Sequence, residues 1–216
     1  MTTRKTVSAG PKNEGKLTLK AYDPKLEEMS SFHRQRVEGI LRRAESTDSA
    51  KELLGYDIVA ATPEGLRRVR IAQTRSFSGF SPRTNNRESM TAEAGHVYIM
   101  KQRAARFFNI STGREGQQKC VHVEMAVNLE NGKLIKNNEL LRTLGLMDSN
   151  GEPIFSERTA IVPGAKLDES QIERLSPSAV GASANTTGVF RARFSREDLL
   201  LSQLGDAVDL YLGKKE

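Results

Sequence analysis

The chain has 216 residues, 37% hydrophobic and 28% charged, enough to bury a core without disulfides, and its single cysteine excludes both an internal disulfide framework and a multi-cysteine zinc site. No run approaches ~18 apolar residues, so nothing reads as a membrane-spanning helix, and the polar start MTTRKTVSAG reads as no signal peptide. The net charge of +6 is uneven: residues 61–119 carry eleven basic and four acidic side chains, whereas residues 120–216 carry eleven basic and fourteen acidic.

Residues 1–22 are polar and basic and read as a flexible arm. Asp23-Pro24 then predicts a helix start, with Asp as cap and Pro in the first turn. Leu26, Met29, Val37, Ile40 and Leu41 recur at helical spacing to about Ala44. A short helix over 48–54 ends on Gly55. Tyr56–Ala61 and Leu66–Gln73 read as a hairpin around Thr62-Pro63-Glu64-Gly65. Residues 75–94, rich in Ser, Arg and Asn with Phe77 and Phe80 interleaved, read as a long polar loop.

The stretch from Gly95 to Leu129 is the expected centre of a sheet. Val121, Val123, Met125, Val127 and Leu129 alternate with Cys120, His122, Glu124, Ala126 and Asn128, the pattern of a strand with one buried and one polar face. Asn131-Gly132 predicts a tight turn, and Leu140, Leu141 and Leu144 a helix. Strands follow over 154–162 and 189–194, separated by a short helix over 168–175 and a small-residue loop over 176–188. A last helix carries Leu200, Leu204 and Tyr211. The expectation is an α+β fold, mainly an antiparallel sheet of about six to eight strands with flanking N-terminal and C-terminal helices. The arm spans 1–22 and one domain spans 23–216.

The sequence has no phosphate-binding glycine loop, no H-E-x-x-H, no C-x-x-C and no G-x-S-x-G. Cys120, His122 and Glu124 share one strand face and form the one compact reactive set, a thiol, an imidazole and a carboxylate. The plainer reading is the polar face of a structural strand. His96 and His122 each open a His-Val pair, but Tyr98 and Glu124 stand where a hydroxyl would be needed to bind phosphate. No metal site and no cofactor is expected.

The basic middle carries the functional expectation. Arg67, Arg68 and Arg70 lie on one hairpin arm, with Arg68 and Arg70 opposite Val69 and Ile71, and Arg67 expected in a local salt bridge. Arg75, Arg83 and Arg87 lie in the long loop; Lys101, Arg103, Arg106, Arg114 and Lys119 lie on or around the second hairpin. Arginine forks suit phosphate, and the phenylalanines suit unpaired bases. Together with the arm and the acidic last third, these residues point to a non-enzymatic nucleic-acid-associated protein. It would self-assemble in a coat-like or packaging role, as in a viral or phage particle, and bind RNA or DNA with little sequence preference. The alternatives are an effector enzyme using the Cys120–His122–Glu124 face, or a protein-interaction module. The expected setting is intracellular or within a virion, with a homo-oligomer and no membrane.

Overall fold

The computed structural model describes residues 17–80, 84–178, 181, 183–195 and 198–199. Residues 1–16 of the expected arm, Arg83 and nearly all of the expected last helix lie outside them. In α1 (Leu19–Tyr22), Leu19 is buried and its N–H donates to the Glu157 carbonyl at 2.6 Å, so the docked domain reaches into the expected arm. In α2 (Pro24–Leu41), the Asp23 carboxylate accepts from the Lys25 N–H at 2.9 Å, the cap expected from Asp-Pro. A short helix α3 (Ser46–Glu52) follows.

The rest is α+β. Strands β1 (Asp57–Thr62) and β2 (Gly65–Ser78) form the expected hairpin, with Gly65 at φ 123° closing the turn. Then come α4 (Arg87–Met90), β3 (Val97–Gln102), β4 (Ala105–Ser111), β5 (Lys119–Asn128), β6 (Leu134–Ile135), α5 (Asn137–Thr143), β7 (Thr159–Val162), β8 (Ile172–Arg174) and β9 (Thr186–Ala192). Among the described residues there are five helices and one nine-stranded sheet with antiparallel pairings. No helix among them is long and apolar enough to cross a membrane.

Three expectations are corrected. Residues 75–78 belong to β2, because their backbone pairs with both β5 and β9. The expected helix over 168–175 is a single turn at Glu169–Gln171 that opens into β8, where Ile172 pairs with Ala192. The strand expected over 154–162 is formed only at 159–162.

Strands β2 and β5 run through the middle of the sheet. The first half of β2 pairs with β1 and its second half with β9; β5 pairs with β4 in its first half and β6 in its second. Val69, Ile71, Val121, Val123, Phe108 and Ile110 pack in one core cluster with Val37 and Leu41 of α2 and Ala50 of α3. Each of the Val, Leu, Ile and Phe side chains contributes roughly 1.5–3 kcal/mol by leaving water. The outer edge of β3 is covered by asparagines: the Asn85 amide pairs with the Lys101 backbone, Asn86 Nδ2 donates to the Ile99 carbonyl at 2.7 Å, and the Ile99 N–H donates to Asn150 Oδ1 at 2.8 Å. An edge satisfied in this way does not recruit a further strand.

The alternation read along β5 breaks in the middle. Ile71 faces Ala126, Gln73 faces Met125 and Thr74 faces Val123, which leaves Ala72 and Glu124 as unopposed residues. Each extra residue turns its strand over. Val121 and Val123 therefore face the helices, whereas Val127 and Leu129 join Ala72 in a separate cluster.

Candidate functional site

The face of the sheet opposite Val121 and Val123 carries a row of side chains aligned by strand register. Tyr98 on β3 is opposite Asn109 on β4, Asn109 is opposite His122 on β5, and His122 is opposite Arg75 on β2. Directly opposed residues project from the same face, with neighbouring strands ~4.8 Å apart. One step along, Cys120 is opposite Phe77 and Ser111.

This row forms one wall of a cavity of about 310 Å³, at the lower end of the ~300–1,000 Å³ usual for small-molecule sites. Its apolar lining comes from Phe77, Phe107, Tyr98, Met90 and Met100, its polar lining from Arg75, Glu124, His122 and Asn109, and Lys136 and Asn185 also border it.

The wall is rigidly built. Asn109 Nδ2 donates to the carbonyls of Tyr98 and Phe107, each at 3.0 Å. The His122 ring lies between Phe107, 5.6 Å away edge-on, and Phe77, 6.4 Å away and tilted. Arg75 and Glu124 make a forked ion pair, with Nη2 to Oε1 at 2.8 Å and Nε to Oε2 at 3.2 Å.

Two side chains of this wall carry a buried polar atom with no hydrogen-bond partner among the described residues. Tyr98, 2% exposed, leaves its hydroxyl unpaired, and His122, 6% exposed, leaves Nε2 unpaired. Burial, with the neighbouring Cys120 adding to it, raises the Tyr98 hydroxyl well above its usual range, so it stays protonated. Burial pushes His122 down to about 4; Glu124 opposes that shift and Arg75 adds to it. His122 is therefore a neutral imidazole near neutral pH.

The expected reactive set is brought together on this wall, but its chemistry differs from the expectation. Cys120 is fully buried and burial raises its thiol far from thiolate formation. A base with a conjugate acid near 4 is too weak to activate it at neutral pH. The Glu124 carboxylate is engaged by Arg75 and does not orient the ring. The row is also buried, where the alternation had suggested a polar strand face.

The basic residues divide into two groups. Arg68 and Arg70 converge on Asp57, which is fully buried: Arg68 Nε to Oδ2 and Arg70 Nε to Oδ1 are both 2.7 Å. Arg70 also donates to the Asp198 carbonyl at 2.5 Å. Arg67 pairs with Glu130 at 2.6 Å, the local bridge expected of it. Arg106 pairs with Asp148 at 3.3 Å, and Lys119 reaches Glu45 at 3.7 Å and the Ala44 carbonyl. Arg87 lies over the Phe80 ring at 4.9 Å. Lys101, Arg103 and Arg114 are exposed and carry no ion pair among the described residues.

Among the described residues no group of three or more His, Cys, Asp or Glu side chains is placed to hold a metal ion. Sequence reasoning missed Tyr98, Asn109, Phe107 and Lys136 as wall residues. The signal for the first two was the hairpin register: a turn at Arg103-Ala104 sets Tyr98 opposite Asn109. A scan against protein-family models and a search of curated protein sequences each gave no match.

Proposed function

We propose that this chain is a binding protein for a small organic ligand, which it takes into the cavity walled by β3, β4, β5 and β2 without covalent chemistry. The observation that carries this reading is that two side chains of the cavity wall, Tyr98 and His122, hold buried polar atoms, Oη and Nε2, with no partner among the described residues, beside an aromatic and thioether lining. An unsatisfied buried polar group costs roughly 1–3 kcal/mol. A ligand that pairs with both groups recovers that cost, and a strand register holding them in one row supplies the preorganisation.

The test is a fragment library screened against isotope-labelled protein, with backbone amide shifts mapped onto the fold. Saturable shifts centred on Tyr98, Asn109 and His122 support the reading. Shifts centred elsewhere, or no saturable binding, contradict it.

A second reading is contact with nucleic acid by a self-assembling, coat-like or packaging protein. It is supported by the exposed Lys101 and Arg103 at the end of the β3–β4 hairpin, and by Arg87 and Arg114. The ion pairs Lys51–Glu169 and Arg193–Glu173 join groups of opposite sign within one molecule and leave less charge for assembly between copies.

A further inference from the structure

The geometry points to a nucleobase as the ligand of this cavity: a flat, uncharged nitrogen heterocycle, carried either by a free nucleoside or by an unpaired residue of a single strand. The assignment rests on the small-ligand reading above and names its class.

Charge comes first. Among the described residues, the charged groups deep in the wall are Arg75 and Glu124, which neutralise each other at 2.8 and 3.2 Å. The two unpartnered atoms belong to a phenol and a neutral imidazole. An ion seated against them would lose its water without gaining a counter-charge, so the deep end selects a neutral polar edge.

Shape comes second. Phe77, Phe107, Met90 and Met100 line the cavity. Aromatic rings and thioethers favour a flat π-system over an aliphatic chain of equal volume.

Spacing comes third. Tyr98 and His122 stand two strands apart in one row, with Asn109 between them, about 10 Å backbone to backbone. The phenol offers an O–H that also accepts, and the imidazole Nε2 offers either an N–H or a lone pair, according to the tautomer. A ring with donors and acceptors spread along its perimeter meets both. The exposed Lys136 borders the same cavity, so a sugar-phosphate arm reaching toward solvent meets a cation there.

The experiment is calorimetric titration of the full chain with adenosine, guanosine, cytidine and uridine, with the monophosphate of the tightest one, with a single-stranded oligonucleotide, and with an oligonucleotide of abasic residues. Laurate serves as an aliphatic probe. The expected result is saturable binding of at least one nucleoside, weakened about five- to tenfold by Tyr98→Phe, as befits the loss of one hydrogen bond to a buried group. Tyr98→Phe removes only the hydroxyl, and its melting temperature, at or above wild type, verifies the fold. Binding of the oligonucleotide but not of nucleosides assigns the source to a strand; tighter binding of the nucleoside assigns it to the free compound. Either outcome supports the nucleobase, provided the abasic strand binds more weakly than the normal one. Laurate or other non-planar fragments binding at Tyr98 and His122 while every nucleoside fails would overturn the nucleobase and leave the small-ligand reading standing. Failure of every probe and every fragment would overturn both. Nucleoside binding unchanged by Tyr98→Phe would overturn the assigned seat.

Discussion

Glu124 is the unopposed residue of a bulge in β5, and from that position its carboxylate receives both arms of Arg75. The bulge lets two charged side chains lie against an apolar cavity as one neutral unit.

Glu124→Gln should therefore remove the opposite charge from beside Arg75. We expect a loss of roughly 1–3 kcal/mol, below the full cost of breaking a buried pair because both groups are partly solvated. We also expect the cavity to favour anionic ligands over neutral ones. Chemical denaturation, with a nucleoside and its monophosphate titrated side by side, checks both; an unchanged stability and an unchanged preference would show that the pair does not set the cavity's charge.

His122 makes stability depend on pH. Its folded value of about 4 lies below the ordinary 6.5 of a free imidazole, so the unfolded chain binds the extra proton first. The contribution is complete above about pH 6.5 and is lost as pH falls toward 4, a difference of about 3 kcal/mol. His33, also lowered by burial and by Arg36, acts in the same direction. His122→Gln should flatten the stability profile between those limits, measured by urea unfolding at a series of pH values. A variant that keeps the full wild-type slope would place the titration elsewhere.

Much of the fold was legible from local signals. Asp23-Pro24, Thr62-Pro63-Glu64-Gly65 and Asn131-Gly132 each mark a boundary that the structure keeps, because capping and turn chemistry act over a few residues. The bulges were not legible, since Ala72 and Glu124 sit in stretches whose alternation looks continuous until the partner strand is known. The site was half legible. Cys120, His122 and Glu124 stood out as one face of one strand, but their depth depends on Tyr98, Phe107 and Phe77 from three other strands. Arg68 and Arg70 were placed together correctly, and the Thr62–Gly65 turn sets Asp57 opposite Arg70, but that one carboxylate takes up both arginines depends on side-chain packing that strand pairing alone does not reveal.

Asp57→Asn should be among the most damaging single changes. It removes the shared partner of Arg68 and Arg70 and leaves the buried Arg70 charge uncompensated, for a cost of roughly 3–5 kcal/mol. Gly164 packs closely on the Gly55 carbonyl and on the same carboxylate, and a Cβ built there would clash with both, so Gly164→Ala should destabilise by displacing the cluster. Thermal unfolding checks both; variants that melt like wild type would mean that the cluster does not support the fold.

The two groups of basic residues give opposite expectations for polyanion binding. Replacing Arg68 and Arg70 with Ala should lower stability and leave the salt dependence of any nucleic-acid binding unchanged. Replacing Lys101 and Arg103 should leave stability nearly intact and reduce the slope by about 0.7 per lost contact on a single strand. Binding isotherms at several salt concentrations separate the groups, and a slope that changes only with Arg68 and Arg70 would reverse the assignment.

Ligand binding in the cavity turns on a neutral His122 whose Nε2 has no partner among the described residues. Long-range nitrogen–proton spectra of the histidine rings, assigned with His122→Gln, observe that atom directly. The expected result is a neutral ring down to below about pH 5 and a shift of the Nε2 resonance on saturation with the tightest-binding nucleoside or fragment. A His122 ring that protonates at its ordinary value, or an Nε2 resonance unmoved by a ligand that binds, would contradict it.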